Sequence, residues 1–332
     1  MSVGSPGPGL PCLDLPRVDL PRPALGCVPP LWARGPHLQT IAANFLPGPA
    51  PLPWERMRLD LDDGDALALR VLHGTSGVAV HLFHGLGGSA DGHYLVRAAA
   101  RFRAAGHSVL AANHRGAGEG AGRARHSYHS GSTGDMAAVL RLGRALFPGQ
   151  LQVAMGFSIS GNMLLLLLGR GGPDLPDRAI AVNPPVDLER CSRRLGVGFN
   201  RVYDRYFVRK LTREVMLRPG AEPLGPIASL RAFDASYTAV QGGFPSREAY
   251  YAQCSSAPLL RGIRVPTVIL TSRDDPFAPA GDILASALSP AVHLHVESTG
   301  GHMGYLSRNL KGWRWLDYAL EHYLGALKSL PR

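Results

Sequence analysis

Residues 151–168 read LQVAMGFSISGNMLLLLL. An apolar strand from Leu151 to Met155 runs into Gly156-Phe157-Ser158-Ile159-Ser160-Gly161, and an apolar helix begins near Gly161. Such a strand, sharp turn and helix holds Ser158 on strained backbone, with its hydroxyl above the sheet and its flank beside a helix N-terminus. This is the context of a nucleophile elbow. Glycine is the usual fifth residue of that motif, because the turn packs closely on neighbouring backbone. Ser160 stands there instead, and Gly161 is positioned to relieve the crowding.

Working outward, the apolar runs at 78–85, 107–116, 178–185, 266–272 and 292–298 repeat the strand pattern. Helix-length segments at 91–105, 133–147 and 161–169 separate the earlier strands by the distance that a parallel crossover requires. A final helix is expected over roughly 307–327. Before these, residues 54–72 alternate around Asp63-Gly64, which predicts a hairpin. The alternation gives an α/β fold, with helices on both faces of a mostly parallel central sheet.

Two stretches break the rhythm. Residues 1–30 carry PGPG, LPRP and VPP, which predicts an irregular arm that wraps or frays. Residues 186–258 mix aromatic and basic side chains at helical spacing, which predicts a helical cap inserted between 31–185 and 259–332, the two parts of the core. Glycine (40) and proline (28) are dispersed through the 332 residues, so collagen-like and low-complexity architectures are excluded. The net charge of +10 has no concentrated basic tract, so nucleic acid is not an expected partner. Four cysteines in no metal-knuckle spacing, together with no signal-like start and no long apolar span, predict a cytoplasmic protein.

A serine hydroxyl needs a base, and the base needs an orienting group. His302 follows Gly300-Gly301 after the 292–298 strand, and Asp274-Asp275-Pro276 follows the 266–272 strand. The order Ser, Asp, His is that of α/β-hydrolases. Asp275 is preferred as orienter because it lies farther past the strand end and opens a proline-stiffened loop; Asp274 is the alternative. His84-Gly85-Leu86-Gly87-Gly88 follows the 78–83 strand, where the Leu86 and Ile159 N–H groups would surround a developing oxyanion. This loop lacks the endings of nucleotide-binding motifs. His126 and His129 have no acidic residue nearby in sequence to complete a metal set, and Asp135 suits a helix N-terminal cap. His293 and His295 read as ordinary strand residues sharing one face.

The segments PPLWARGPHLQTI (29–41), HLFHGLGGS (81–89), AANHRGAG (111–118), GFSISGNML (156–164), AVNPPVDL (181–188), DDPFAP (274–279) and GGHMGY (300–305) together resemble the YheT-like, EMB8-like branch of α/β-hydrolases. The resemblance implies an α/β-hydrolase fold with Ser158 as nucleophile, His302 as base, Asp275 as orienter, and Leu86 and Ile159 as oxyanion donors. Relatives of this branch resemble carboxylesterases, and some eukaryotic ones resemble phospholipases. A leading membrane anchor like that of the latter is not expected in this chain, which differs from the branch in carrying Ser160. The expected function is a serine-dependent carboxylic ester hydrolase acting on short- to medium-chain acyl esters through an acyl-enzyme, with no metal or organic cofactor. The alternatives are a lipid-directed hydrolase that visits a lipid surface transiently, and a non-catalytic scaffold of the same fold.

Overall fold

A computed structural model describes residues 16–331. The 54–72 segment forms the expected hairpin, β1 (Glu55–Asp60) and β2 (Ala66–Leu72), whose turn places Gly64 at φ 84°. The apolar runs become β3 (Val78–Phe83), β4 (Ser108–Ala112), β5 (Leu151–Phe157), β6 (Arg178–Val182), β7 (Thr267–Ser272) and β8 (Val292–Glu297). They join in one eight-stranded sheet of order β1-β2-β4-β3-β5-β6-β7-β8. The β1–β2 and β2–β4 pairs are antiparallel, and every other pair is parallel.

Every residue of β3 to β7 is buried, which is why these strands read as continuous apolar runs: helices cover both faces. After α1 (Pro36–Ala42), the crossover helices are α2 (His93–Ala104), α3 (Thr133–Leu146) and α4 (Ile159–Arg170). The cap region contributes α5 (Leu188–Leu195), α6 (Arg201–Met216), α7 (Leu230–Phe233), α8 (Ala239–Gln241) and α9 (Arg247–Cys254), and the chain returns through α10 (Ala280–Leu284) and α11 (Trp315–Lys328). Strand alternation divides the core: Val80 and Leu82 pack with Leu95 of α2 and Leu320 of α11, while Ala79 and Phe83 pack with Met136 of α3 and Leu164 of α4. A buried ion pair, Arg97 Nε to Asp317 Oδ2 at 3.0 Å, links α2 to α11.

The last helix differs from expectation. It starts at Trp315 because Gly312 (φ 76°) and Trp313 (φ 65°) are left-handed, and Leu306 pairs with Arg314 across the resulting loop. The arm also takes a definite course where it is described. The Val18 N–H donates to Pro290 O (2.8 Å), Leu25 O accepts from the Trp315 indole (2.6 Å), and Leu20 and Cys27 are buried. Residues 1–15 of that arm, including Cys12, lie outside the described residues. No helix among the described residues is long and apolar enough to cross a membrane.

Gly156, the last glycine before the elbow, has no room for a side chain: a Cβ there would drive into the Ser160 carbonyl. Gly325 in α11 faces open space. Gly156→Ala should therefore cost about 1–3 kcal/mol of unfolding free energy, whereas Gly325→Ala should add about 0.5–1 kcal/mol. Urea denaturation of the two variants beside wild type checks both signs.

Candidate active site

The parallel strands deliver their carboxyl ends to one rim of the sheet, where α/β folds place ligands. Ser158 lies there between β5 and α4 at φ 54°, ψ −121°, a conformation that costs a non-glycine residue about 1–3 kcal/mol. The turn is held from several sides. The Ser158 N–H donates to Val182 O (2.8 Å), and Gly161 packs where a Cβ would lie 3.1 Å from Gly156 O and 3.2 Å from Pro184.

The glycine-rich loop after β8 brings His302 to the serine, with Nε2 2.8 Å from Ser158 Oγ. On the other side of the ring, Nδ1 lies 2.7 Å from Asp275 Oδ2. Asp275 is fully buried in its side chain, and its Oδ1 accepts the Phe277 (3.1 Å) and Ala278 (2.8 Å) N–H groups. Burial alone would raise this carboxyl; the charge and hydrogen bond of His302 and the two amides bring it below the usual carboxylate range. Asp274 turns elsewhere and accepts the Gly301 N–H at 2.9 Å, and burial raises its carboxyl. The structure thus brings Ser158, His302 and Asp275 together, and leaves Asp274 to hold the histidine loop.

Leu86 and Ile159 line the cavity that contains Ser158. The loop carrying Leu86 is braced at both sides: the Gly85 N–H donates to the Tyr94 hydroxyl and the Gly87 N–H to the Tyr128 hydroxyl, each at 2.8 Å. From the cap, Lys210 Nζ donates to Gly87 O at 2.9 Å. Ser160 ties the elbow to the same loop. Its hydroxyl donates to the His84 carbonyl, so His114 Nε2, 2.6 Å away, supplies the N–H of that contact. The His114 amide in turn donates to His84 Nε2 at 3.1 Å. Burial lowers both imidazoles, His114 to about 4 and His84 well below its usual value, which keeps the network neutral. Serine at the fifth position is therefore a bonded member of the turn.

Several polar contacts depart from the sequence reading. His126 does meet acidic residues: Asp65 Oδ2 lies 3.0 Å from its Nδ1, and Asp63 completes the cluster. Both carboxylates come from the distant β1–β2 turn, which sequence proximity does not reveal. They already bond Arg115 Nη1, at 2.6 Å for Asp63 and 3.0 Å for Asp65. Asp135 sits in the first turn of α3, as expected, and there grips Arg115 through two contacts of 2.7 Å. His293 and His295 both face Tyr323 of α11, away from the serine.

Two supporting residues were not assigned from sequence. Asn183 Nδ2 donates to Asp275 Oδ2 (2.8 Å) from a left-handed position (φ 45°) after β6, and Thr40 Oγ1 accepts the His302 N–H (2.8 Å) from α1. Both lie in quoted segments, AVNPPVDL and PHLQTI, but nothing in local periodicity says which side chain turns toward the site.

Above Ser158 the cap helices cover a cavity with an open mouth. Leu86, Ile159, Phe207, Leu211, Val215 and Phe233 give it apolar walls, and Glu214, Arg218 and Asp234 put charge among them.

A family model for the alpha/beta hydrolase fold matches residues 78–219. "Putative esterase YheT" of Escherichia coli is 33% identical over 308 residues, covering 87% of this chain and 89% of that protein. The chain belongs to the α/β-hydrolase family, beside YheT. The embryogenesis-associated protein EMB8 of Picea glauca is 26% identical over 322 residues, covering 88% of this α/β-hydrolase and 70% of EMB8. Among solved structures, the Pyrococcus furiosus esterase Pf2001 superposes with a TM-score of 0.57 at 14% identity, covering 86% of this chain and 98% of that one, which speaks for the fold.

Burial raises the Glu214 carboxyl of this α/β-hydrolase to about 7, against the opposing pull of Lys210 and Arg218. A carboxyl raised on folding stabilises most below its unfolded value, and that contribution is lost as pH climbs through the folded value. The window here runs from about 4.5 to about 7. Glu214→Gln, which mimics the neutral acid, should raise the thermal midpoint at pH 8 and change it little at pH 4. Melting curves across that range check the sign.

Proposed function

We propose that this protein is a serine-dependent carboxylic ester hydrolase acting on short- to medium-chain acyl esters of small molecules through an acyl-enzyme. The observation that carries this reading is the relay of two hydrogen bonds, Ser158 Oγ to His302 Nε2 at 2.8 Å and His302 Nδ1 to Asp275 Oδ2 at 2.7 Å. In our reading Ser158 Oγ attacks the ester carbonyl as its proton passes to His302 Nε2, and Asp275 fixes the ring and stabilises the imidazolium. The oxygen of the tetrahedral intermediate takes hydrogen bonds from the Leu86 and Ile159 amides, held in place before charge develops. The alcohol leaves with the proton from His302, and water, deprotonated by the same imidazole, releases the acid from Ser158.

The cap reading of residues 186–258 belongs to the same proposal. Helices α5, α6, α7 and α9 line the cavity over Ser158, so the cap selects the acyl or alcohol group while the sheet rim supplies the chemistry. Apolar walls favour an aliphatic chain.

Turnover of p-nitrophenyl esters of increasing chain length, normalised to folded protein, tests the reading. Ser158→Ala should retain the fold and lose nearly all activity. Asp275→Asn should slow acylation by about a hundredfold or more, on the scale of a disturbed orienting carboxylate, and Asp274→Asn should act mainly on stability. Ser158→Ala activity within about tenfold of wild type, a loss of only ~1.4 kcal/mol in transition-state stabilisation, would contradict the nucleophile assignment.

A further inference from the structure

Arg218 follows the C-terminus of α6 and is only 8% exposed, yet it lines the cavity that contains Ser158. Its Nε is buried with no acceptor, and its Nη1 reaches the Tyr237 hydroxyl only at 3.4 Å. Among the described residues, no carboxylate stands within ion-pairing distance of this guanidinium. Its acidic neighbours are Asp65 and Glu214. Asp65 is already engaged by Arg115, by the His126 ring and by the amides of Arg125 and His126. Glu214, one helical turn back, lines the cavity itself.

A buried guanidinium without an anion is costly, and its planar fork of donors matches carboxylate and phosphate oxygens. Gly116, at φ 71°, packs beside it: a Cβ there would lie 3.4 Å from Nη2, an ordinary contact. Arg218 is also the one lysine or arginine among the described residues that line this cavity.

We propose that Arg218 receives an anionic oxygen group, carboxylate or phosphate, carried by the substrate at a distance from its scissile ester. This inference rests on the ester hydrolase reading above and narrows its substrate class to aliphatic esters with a negatively charged end. The apolar walls accept the chain, and the guanidinium accepts its tip. Burial raises the neighbouring Glu214 carboxyl to about 7, which weakens its opposition to a bound anion.

The test pairs p-nitrophenyl half-esters of glutaric, adipic and suberic acid with the p-nitrophenyl alkanoates of the same chain lengths. For the best pair, the ratio of kcat/KM, anionic over neutral, should exceed one in the wild type. It should fall at least about tenfold in Arg218→Met, as expected for loss of a charge-assisted hydrogen bond, with Arg218→Lys intermediate. A wild-type ratio below one at every length, or a ratio unchanged in Arg218→Met, overturns the assignment. Binding is measured separately by calorimetry on Ser158→Ala with octanoate, octyl phosphate and octanol, which does not depend on the arginine variants folding. Both anions should bind at least about tenfold more tightly than octanol, and their order identifies carboxylate or phosphate as the preferred group. Equal binding of all three overturns the anion site even if esters are hydrolysed. Anion binding without turnover of any ester would instead sink the hydrolase reading and leave the anion site standing.

Discussion

The left-handed turn at Ser158 is the constraint to which the rest of the molecule answers. A strand buried on both faces must end and a helix must begin within one residue, and the backbone adopts φ 54° to do so. Gly156 is then an obligatory spacer, because a side chain there would drive into the turn, and Gly161 packs tightly against Gly156 and the chain after β6. The same geometry leaves Ile159 at the open N-terminus of α4, where backbone N–H groups have no intrahelical acceptor. Strain, exposure of the hydroxyl and a ready anion-binding amide are thus three consequences of one backbone conformation.

Around that turn, polar contacts are made by elements far apart in sequence. Thr40 of α1 bonds the His302 amide, Asn183 after β6 bonds Asp275, and Asp274 bonds Gly301 beside the histidine. Ser160, His114 and His84 join the elbow to the glycine-rich loop, and Lys210 joins that loop to the cap. Such a network restricts both ring orientation and loop position, which an acyl-transfer site requires before charge develops.

Much of this arrangement was legible in the residues. Strands buried on both faces write themselves as unbroken apolar runs, so the boundaries of β3 to β7 lie close to those runs, and the elbow announces the helix that follows it. The pairing of Asp275 with His302 was accessible because the carboxyl ends of parallel strands converge, which fixes the neighbourhood of residues after β7 and β8. What escaped was contact made by side chains from distant turns. His126 meets Asp65 at the hairpin turn, and Asp135, in the first turn of α3, also holds Arg115. The last helix begins late because left-handed backbone at Gly312 and Trp313 interrupts an otherwise helical pattern. Cap helices are amphipathic whichever way they turn, so their spacing could not reveal that Glu214, Arg218 and Asp234 line the cavity.

A relay of hydrogen bonds orders the three groups, but the central proposal is chemical: that the Ser158 hydroxyl is activated, and that the oxygen of the tetrahedral intermediate is stabilised by the Leu86 and Ile159 amides. The most direct measurement is covalent labelling of the full chain with an alkyl fluorophosphonate, followed by peptide mass analysis. Phosphorus is attacked as the ester carbonyl would be, and its oxygen occupies the same pair of donors. The account predicts a single adduct on Ser158, formed rapidly in wild type and slowly in His302→Ala. An unlabelled Ser158, under conditions in which a competent serine esterase is fully modified, would contradict it.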